Sequence, residues 1–196
     1  MQSAIDVPVR LTRTQLARRQ DIVAAAVAVI DREGYGAASV ERIATEANTS
    51  KSTVLYHFKT REAIDMAVVV ALFSAGGEYM TERIKAEGNR RDMLRVYLDS
   101  NLRFIAENAA HVNAVHRIQQ NGGPLDDGSD AVGPLAHLLR TGQAAGDFGE
   151  FDPVMVAMAV RAVVDGASFL FTAQPELDID HVIEEAVRLF DKATAP

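Results

Sequence analysis

Apolar residues recur along this chain at intervals of three and four, and stretches that read as strands are hard to find. The period predicts helices over about 14–33, 39–47, 51–58, 61–86, 91–108, 110–120, 130–146, 153–173 and 180–193: an all-α fold of about nine helices. Val68-Val69-Val70 is β-branched, but it lies inside a helical run with Ile64, Ala67, Ala71 and Leu72. Punctuation residues fit these limits. Thr12-x-x-Gln15 can form a capping box, and Gly34 stands where a left-handed cap closes the first helix. Asp152-Pro153 sets a cap before a proline at the first helical position, and Asp180 is expected to open the last helix. Gly122-Gly123-Pro124 with Asp126-Asp127-Gly128 is the clearest loop, and Gly76-Gly77 marks an expected bend or split in a long fourth helix.

Residues 39–64 carry the most chemistry. Val40, Ile43, Ala44 and Ala47 share one face of a short helix that Ser39 can cap. Asn48-Thr49-Ser50 then interrupts the pattern, because Asn tolerates left-handed angles and Ser caps the helix that follows. That second helix, 51–58, has only Val54, Leu55 and Phe58 as large aliphatic or Phe positions, and Phe58 is assigned to the core. Lys51, Ser52, Thr53, Tyr56 and His57 remain, a set suited to a phosphate backbone and a major groove. Lys51 can donate to guanine O6 or N7 or to a phosphate, and Thr53 offers a hydroxyl and a methyl. Lys59 precedes a helix whose first amides, at Arg61 and Glu62, can receive a phosphate. Tyr56 has packing against the first helix as an alternative role, and His57 a capping or structural one. The Arg10–Arg19 cluster reads equally as a reach toward flanking phosphates or as a solvated tail.

This segment resembles the helix-turn-helix of the tetracycline-repressor (TetR) family of bacterial transcription regulators. The likeness rests on Gly34-Tyr35-Gly36, Ser39-Val40-x-x-Ile43-Ala44-x-x-Ala47, Ser50-Lys51-x-Thr53-x-x-Tyr56-His57-Phe58-Lys59 and Thr60-x-Glu62-x-Ile64, and covers about residues 12–70. Asn48, Ser52 and Leu55 depart from the family's usual residues. The resemblance implies a three-helix DNA-binding head at 1–62 and a helical effector-binding and dimerisation body at 63–196. It implies DNA contacts from Ser39, Ser50, Lys51, Ser52, Thr53, Tyr56, His57 and Lys59, with Tyr56 and His57 on phosphates.

For the body, the resemblance implies that the last two helices pair with those of a second copy. The sequence is compatible, since large apolar residues there surround small Ala157, Ala159, Ala162, Gly166 and Ala167. Met158, Val163, Phe169, Ile183, Val187 and Phe190 are the expected interface residues. It also implies a small-molecule effector, for which Phe73, Met93, Tyr97, Asn101, Phe104, His116, Met155 and Phe169 form a mixed apolar and polar lining. Tyr97, Asn101 and Phe104 share a helix face.

Bulk properties narrow the alternatives. At 196 residues and 48% hydrophobic, the chain can bury a sizeable core. It has no cysteine, so disulfides, thiolate catalysis and cysteine metal sites are excluded, and a reducing cytoplasm is the expected compartment. No uninterrupted apolar run reaches a membrane span, and no secretory signal is visible, so no membrane partner is expected. The net charge of −7 is uneven: residues 1–62 hold nine Lys/Arg against seven Asp/Glu, the remainder eleven against twenty. A mildly basic end on an acidic body suits a DNA reader.

His111 and His116 stand five apart, about 140° in helical projection, a poor spacing for one metal. Ser168 and His137 lack the partner spacing of a catalytic nucleophile or base, and no phosphate-cradling glycine loop is present. No cofactor and no enzymatic activity are expected. The expectation is a homodimeric repressor released from a double-stranded palindromic operator by a small molecule. A ligand-binding helical dimer with a degenerate head, or an activator, is the alternative.

Overall fold

A computed structural model describes residues 11–124 and 132–196. Arg10 and the Asp126–Asp130 acidic stretch therefore lie outside the described residues. Within them the chain forms nine α-helices and no strand: α1 (Arg13–Glu33), α2 (Val40–Glu46), α3 (Lys51–Phe58), α4 (Arg61–Ile84), α5 (Arg90–Glu107), α6 (Ala109–Gln120), α7 (Val132–Ala145), α8 (Pro153–Ala173) and α9 (Ile179–Ala193). A 3-10 turn, Tyr35–Ala37, follows α1, too short to leave a period in the sequence.

Side-chain caps explain why these limits match the periodicity. Thr12 and Gln15 form the reciprocal capping box of α1, and the Asp152 carboxylate accepts from the amides of Val154 and Met155 at the start of α8. Two caps differ from expectation. Asp178, not Asp180, caps α9, accepting from the His181 amide at 3.1 Å. Gly34 has positive φ (91°), but its ψ of 163° is extended, so the chain leaves α1 directly into the 3-10 turn. Helix α4 runs unbroken through Gly76-Gly77. Gly76 faces the Phe104 ring, where an added Cβ would lie 3.1 Å from a ring carbon, so it serves close helix approach instead of a bend.

The first core joins α1, α2 and α3 through Ile22, Ala26, Val29, Ile30, Ile43, Val54 and Phe58. It continues past residue 62 into Ile64 and Val68 of α4 and Val112, Val115 and Ile118 of α6. Burying each large aliphatic side chain contributes about 1.5–3 kcal/mol. Polar bonds lock the same junction: Asn113 donates to Asp31 at 2.5 Å, Arg117 to the Ile30 carbonyl at 3.2 Å, and His111 Nε2 to the Val68 carbonyl at 2.8 Å. A second core unites Leu94 and Leu98 of α5, Leu139 of α7, Val160 and Val164 of α8 and Phe190 of α9. A third holds Leu102, Phe171 and Ile183.

Length and composition alone would let α4 and α8 cross a membrane, contrary to the reading of uninterrupted runs. Single polar residues interrupt the apolar runs of both helices without lowering their mean hydropathy much. A third (33%) of each apolar window is buried within the chain, and α8 carries the ion pair Arg161–Asp165 at 2.6 Å near its middle.

Candidate nucleic-acid interface

Helix α3 is held by two buried side chains, Val54 and Phe58, one turn apart. Its entry is shaped by Asn48 at φ 47° and by Ser50, whose Oγ accepts the Thr53 amide at 3.1 Å. The Ser50 hydroxyl also lies 2.8 Å from the hydroxyls of Ser52 and Thr53. Ser39 caps α2 in the same way, accepting from the Arg42 amide at 3.1 Å. Both serines therefore spend an acceptor lone pair on the backbone, and Lys51 and Ser52 stand exposed beside them with Thr53 half-buried.

At the far end of α3, Tyr56 is 62% exposed, and its hydroxyl accepts from Gln15 at 3.4 Å. It is not packed into the core. The His57 carbonyl accepts from Arg19, whose guanidinium lies 4.0 Å over the Phe58 ring. Arg19 thus ties α1 to α3. Burial, with the positive fields of Arg19 and Arg18, holds the His57 imidazole below its ordinary pKa. Lys59 adopts φ 60°, ψ −51°, and the Thr60 amide reaches back to the Phe58 carbonyl at 2.6 Å, closing a γ-turn of a strained kind. Thr60 then caps α4, accepting from the Ala63 amide. The strained turn leaves Lys59 exposed, its ammonium 5.7 Å from the Tyr56 ring.

Most other cations of the head are already paired. Lys51 binds Glu41; Arg42 bridges Glu33 at 2.6 Å and Glu46 at 2.9 Å; Arg32 joins Glu46 at 3.0 Å; Arg18 faces Asp21 at 3.5 Å. Hydrogen bonds from Arg42 and Arg32 lower the Glu33 pKa to about 2.

One cluster escaped the sequence reading. Asp65 is 1% exposed and accepts from Tyr35 Oη at 2.9 Å and Arg61 Nε at 2.9 Å. Arg61 also donates to the Ala38 carbonyl and lies over the Tyr35 ring, although its second terminal nitrogen is buried without a partner. This buried knot pins the turn before α2 to the start of α4. The i,i+4 spacing of Arg61 and Asp65, just before the apolar run Met66–Phe73, is its one visible signal.

The expected effector residues meet in pairs, Tyr97 with Asn101 and His116 with Phe169. Asn101 is buried, but its amide donates to the Tyr97 carbonyl of its own helix at 2.7 Å. Tyr97 Oη accepts from Arg161 at 3.2 Å, and His116 stacks on Phe169 at 3.9 Å with Nε2 3.1 Å from Ser168 Oγ. Phe104 packs on Tyr79 and Gly76. Met93 is half-buried in the first turn of α5. Met155 is 61% exposed, because the start of α8 turns it outward, and Phe73 opens onto a surface hollow with Gly77 and Thr81. A recess of about 350 Å³ between α1, α6, α8 and α9, lined by Asp31, Ala110, Asn113, Phe171 and Gln174 among others, includes none of the eight.

The expected interface set divides. Met158 and Phe169 are exposed, Val163 and Val187 half-buried, but Ile183 and Phe190 are each 5% exposed. These last two face the chain's own α5 and α8, which removes them from a surface. Exposed Val154, Met155, Ala159, Ala162, Gly166 and Leu170 share the outward face of α8 with one exposed acid, Asp165, which is paired with Arg161. Among the described residues no group of three or more His, Asp or Glu is placed to hold a metal.

The family model for bacterial regulatory proteins of the tetR family matches residues 22–67, the span from α1 through α3 into α4. Residues 22–67 thus carry the DNA-binding region of the TetR family. This is a family of regulators and not of enzymes. Among relatives, the A-factor receptor protein of Streptomyces griseus is 28% identical over 159 residues, covering 79% of this chain and 55% of that protein. The HTH-type transcriptional repressor NicS of Pseudomonas putida is 26% identical over 140 residues, covering 66% and 65%. The match thus spans between about half and two-thirds of these relatives' lengths. The structure of AibR in complex with isovaleryl coenzyme A and operator DNA superposes with a TM-score of 0.71 at 17% identity, over 88% of this chain and 97% of that one. A structure described as the molecular basis for control of antibiotic production by bacterial hormones gives 0.74 at 23%, over 95% and 100%. At such identities the structural likeness shows the TetR-like fold alone.

Proposed function

We propose that this chain is a homodimeric, sequence-specific DNA-binding repressor of the TetR family, released from a palindromic operator by a small-molecule effector. The observation that carries the reading is α3. Two buried side chains and a serine cap fix it, while Lys51, Ser52, Thr53 and Tyr56 face outward from its first two turns. In helix-turn-helix proteins the early residues of this helix meet base edges and the flanking groups hold phosphates. Lys51, Ser52 and Thr53 take the base-facing role. Tyr56, Lys59 and the first amides of α4 take phosphates, with His57 beside them as a neutral hydrogen-bonding group. Ser39 and Ser50 act chiefly as caps that aim the two helices.

The body at 63–196 supplies dimerisation and effector response. The exposed face of α8 combines large apolar side chains with Ala159, Ala162 and Gly166, which lets a second copy's α8 approach closely. Two-fold pairing would present two heads to half-sites one helical turn apart. Effector response is supported by the relatives, one named a receptor and one bound to both a coenzyme A thioester and operator DNA. Helix α6 touches α8 through His116 and α1 through Asn113 and Arg117, a physical route from body to head.

Selection of bound duplexes from a random library tests the function. The reading predicts a palindrome with half-sites about one turn apart, bound far more tightly than bulk DNA. Recovery of no preferred sequence would contradict it.

A further inference from the structure

The cation that leads the reading helix is not free. Lys51, the first residue of α3, is ion-paired with Glu41 in the first turn of α2, and both side chains are more than half exposed, 53% and 60%. Hydrogen bonding from Lys51 holds the Glu41 carboxyl below its ordinary pKa, so the carboxylate is charged at neutral pH. Among the described Lys and Arg of residues 11–62, only Arg13 and Lys59 have neither an acidic partner nor, as Arg19 has, a bond to a backbone carbonyl.

An ammonium bonded to a carboxylate spends one of its three N–H donors on it, keeps the other two, and loses most of its net field. A phosphate approaching Lys51 must also approach Glu41, and two anions on one cation repel. A guanine edge is a neutral acceptor and meets no such penalty. We propose that Glu41 is a specificity-determining positioning residue: it converts Lys51 from a phosphate-seeking charge into a directed donor for a base edge, and so suppresses binding to DNA of the wrong sequence. The inference rests on the DNA-reading function proposed above.

The test measures affinity against salt concentration for two duplexes, the selected palindrome and a scrambled one of equal length and composition. Four proteins are compared: wild type, Glu41→Gln, Lys51→Ala and the double variant, each checked for unchanged thermal unfolding. Freeing one lysine for one phosphate steepens the logarithmic salt slope by about 0.9, and over a fourfold change in salt that is worth about threefold in affinity. Glu41→Gln should therefore steepen the slope on the scrambled duplex by about that amount and lower the specific-to-nonspecific ratio several-fold. In the Lys51→Ala background the same change should do neither, since the effect passes through Lys51.

An unaltered slope in Glu41→Gln overturns the proposal. So does an equal change with and without Lys51, which would mean that Glu41 acts as a general repelling charge. If wild type and every variant fail to bind either duplex even at low salt, the DNA-reading function falls, and this inference with it.

Discussion

Helices α3 and α8 both turn much of their surface outward, and they do so with opposite chemistry. Helix α3 shows a cation, hydroxyls and a phenol, and buries only Val54 and Phe58. Helix α8 buries Ala157, Val160, Val164, Ala167, Ser168 and Phe171, yet still exposes Val154, Met155, Met158, Phe169 and Leu170. A polar exposed helix keeps its water until a polyanion replaces it. A helix that remains apolar on its outer face after folding needs a dry partner. On the function proposed above, the contrast assigns α3 to nucleic acid and α8 to a second copy.

The comparison breaks most severely at the knot beneath the head. Asp65→Ala strands the half-buried Arg61 and the Tyr35 hydroxyl, and should cost about 3–5 kcal/mol of stability, read as a lowered denaturant midpoint. The exposed face of α8 would be untouched. Met158→Glu sets charges into the apolar face of α8 and should raise the dimer dissociation constant at least about thirtyfold, the equivalent of about 2 kcal/mol, by sedimentation. Thermal unfolding of the protomer would change little. Lys51→Ala should weaken operator binding about tenfold or more while leaving the dimer intact, measured by titration at matched salt.

Acid sharpens the contrast least. Burial keeps the His111 imidazole below its usual 6.5 despite its bond to the Val68 carbonyl. The unfolded chain then takes up that proton first, so stability falls as pH drops below about 6.5. Glu33 has the depressed carboxyl of an ion-paired acid, so its contribution is full above 4.5 and fades as pH falls toward about 2. A melting-temperature series should show both windows, with His111→Asn flattening the upper and Glu33→Gln the lower.

Much of this was legible in the sequence, because helix limits here are written in local residues. Thr12 with Gln15, Ser39, Ser50 and Asp152 cap where the apolar period begins, and the polar outer face of α3 follows from how little that helix hides. What escaped depends on contacts between elements. Tyr35, Arg61 and Asp65 meet only when α1 has turned back on α4, and Lys51 finds Glu41 only across the turn at Asn48. Ile183 and Phe190 show why an interface is harder to read than a helix: on an amphipathic stretch the period marks an apolar face but not whose core it enters. Gly76 was ambiguous for a similar reason, since only the Phe104 ring tells close approach from a bend.

The decisive measurement replaces Lys51, Ser52 and Thr53 together by Ala, which favours the helix and leaves Val54, Phe58 and the Ser50 cap in place. The ratio of affinities for the selected palindrome and its scrambled counterpart is then compared with wild type. If α3 reads the bases, the ratio collapses toward unity while helicity and dimer mass are unchanged. Retention of the wild-type ratio would contradict that role and move sequence reading to another part of the head.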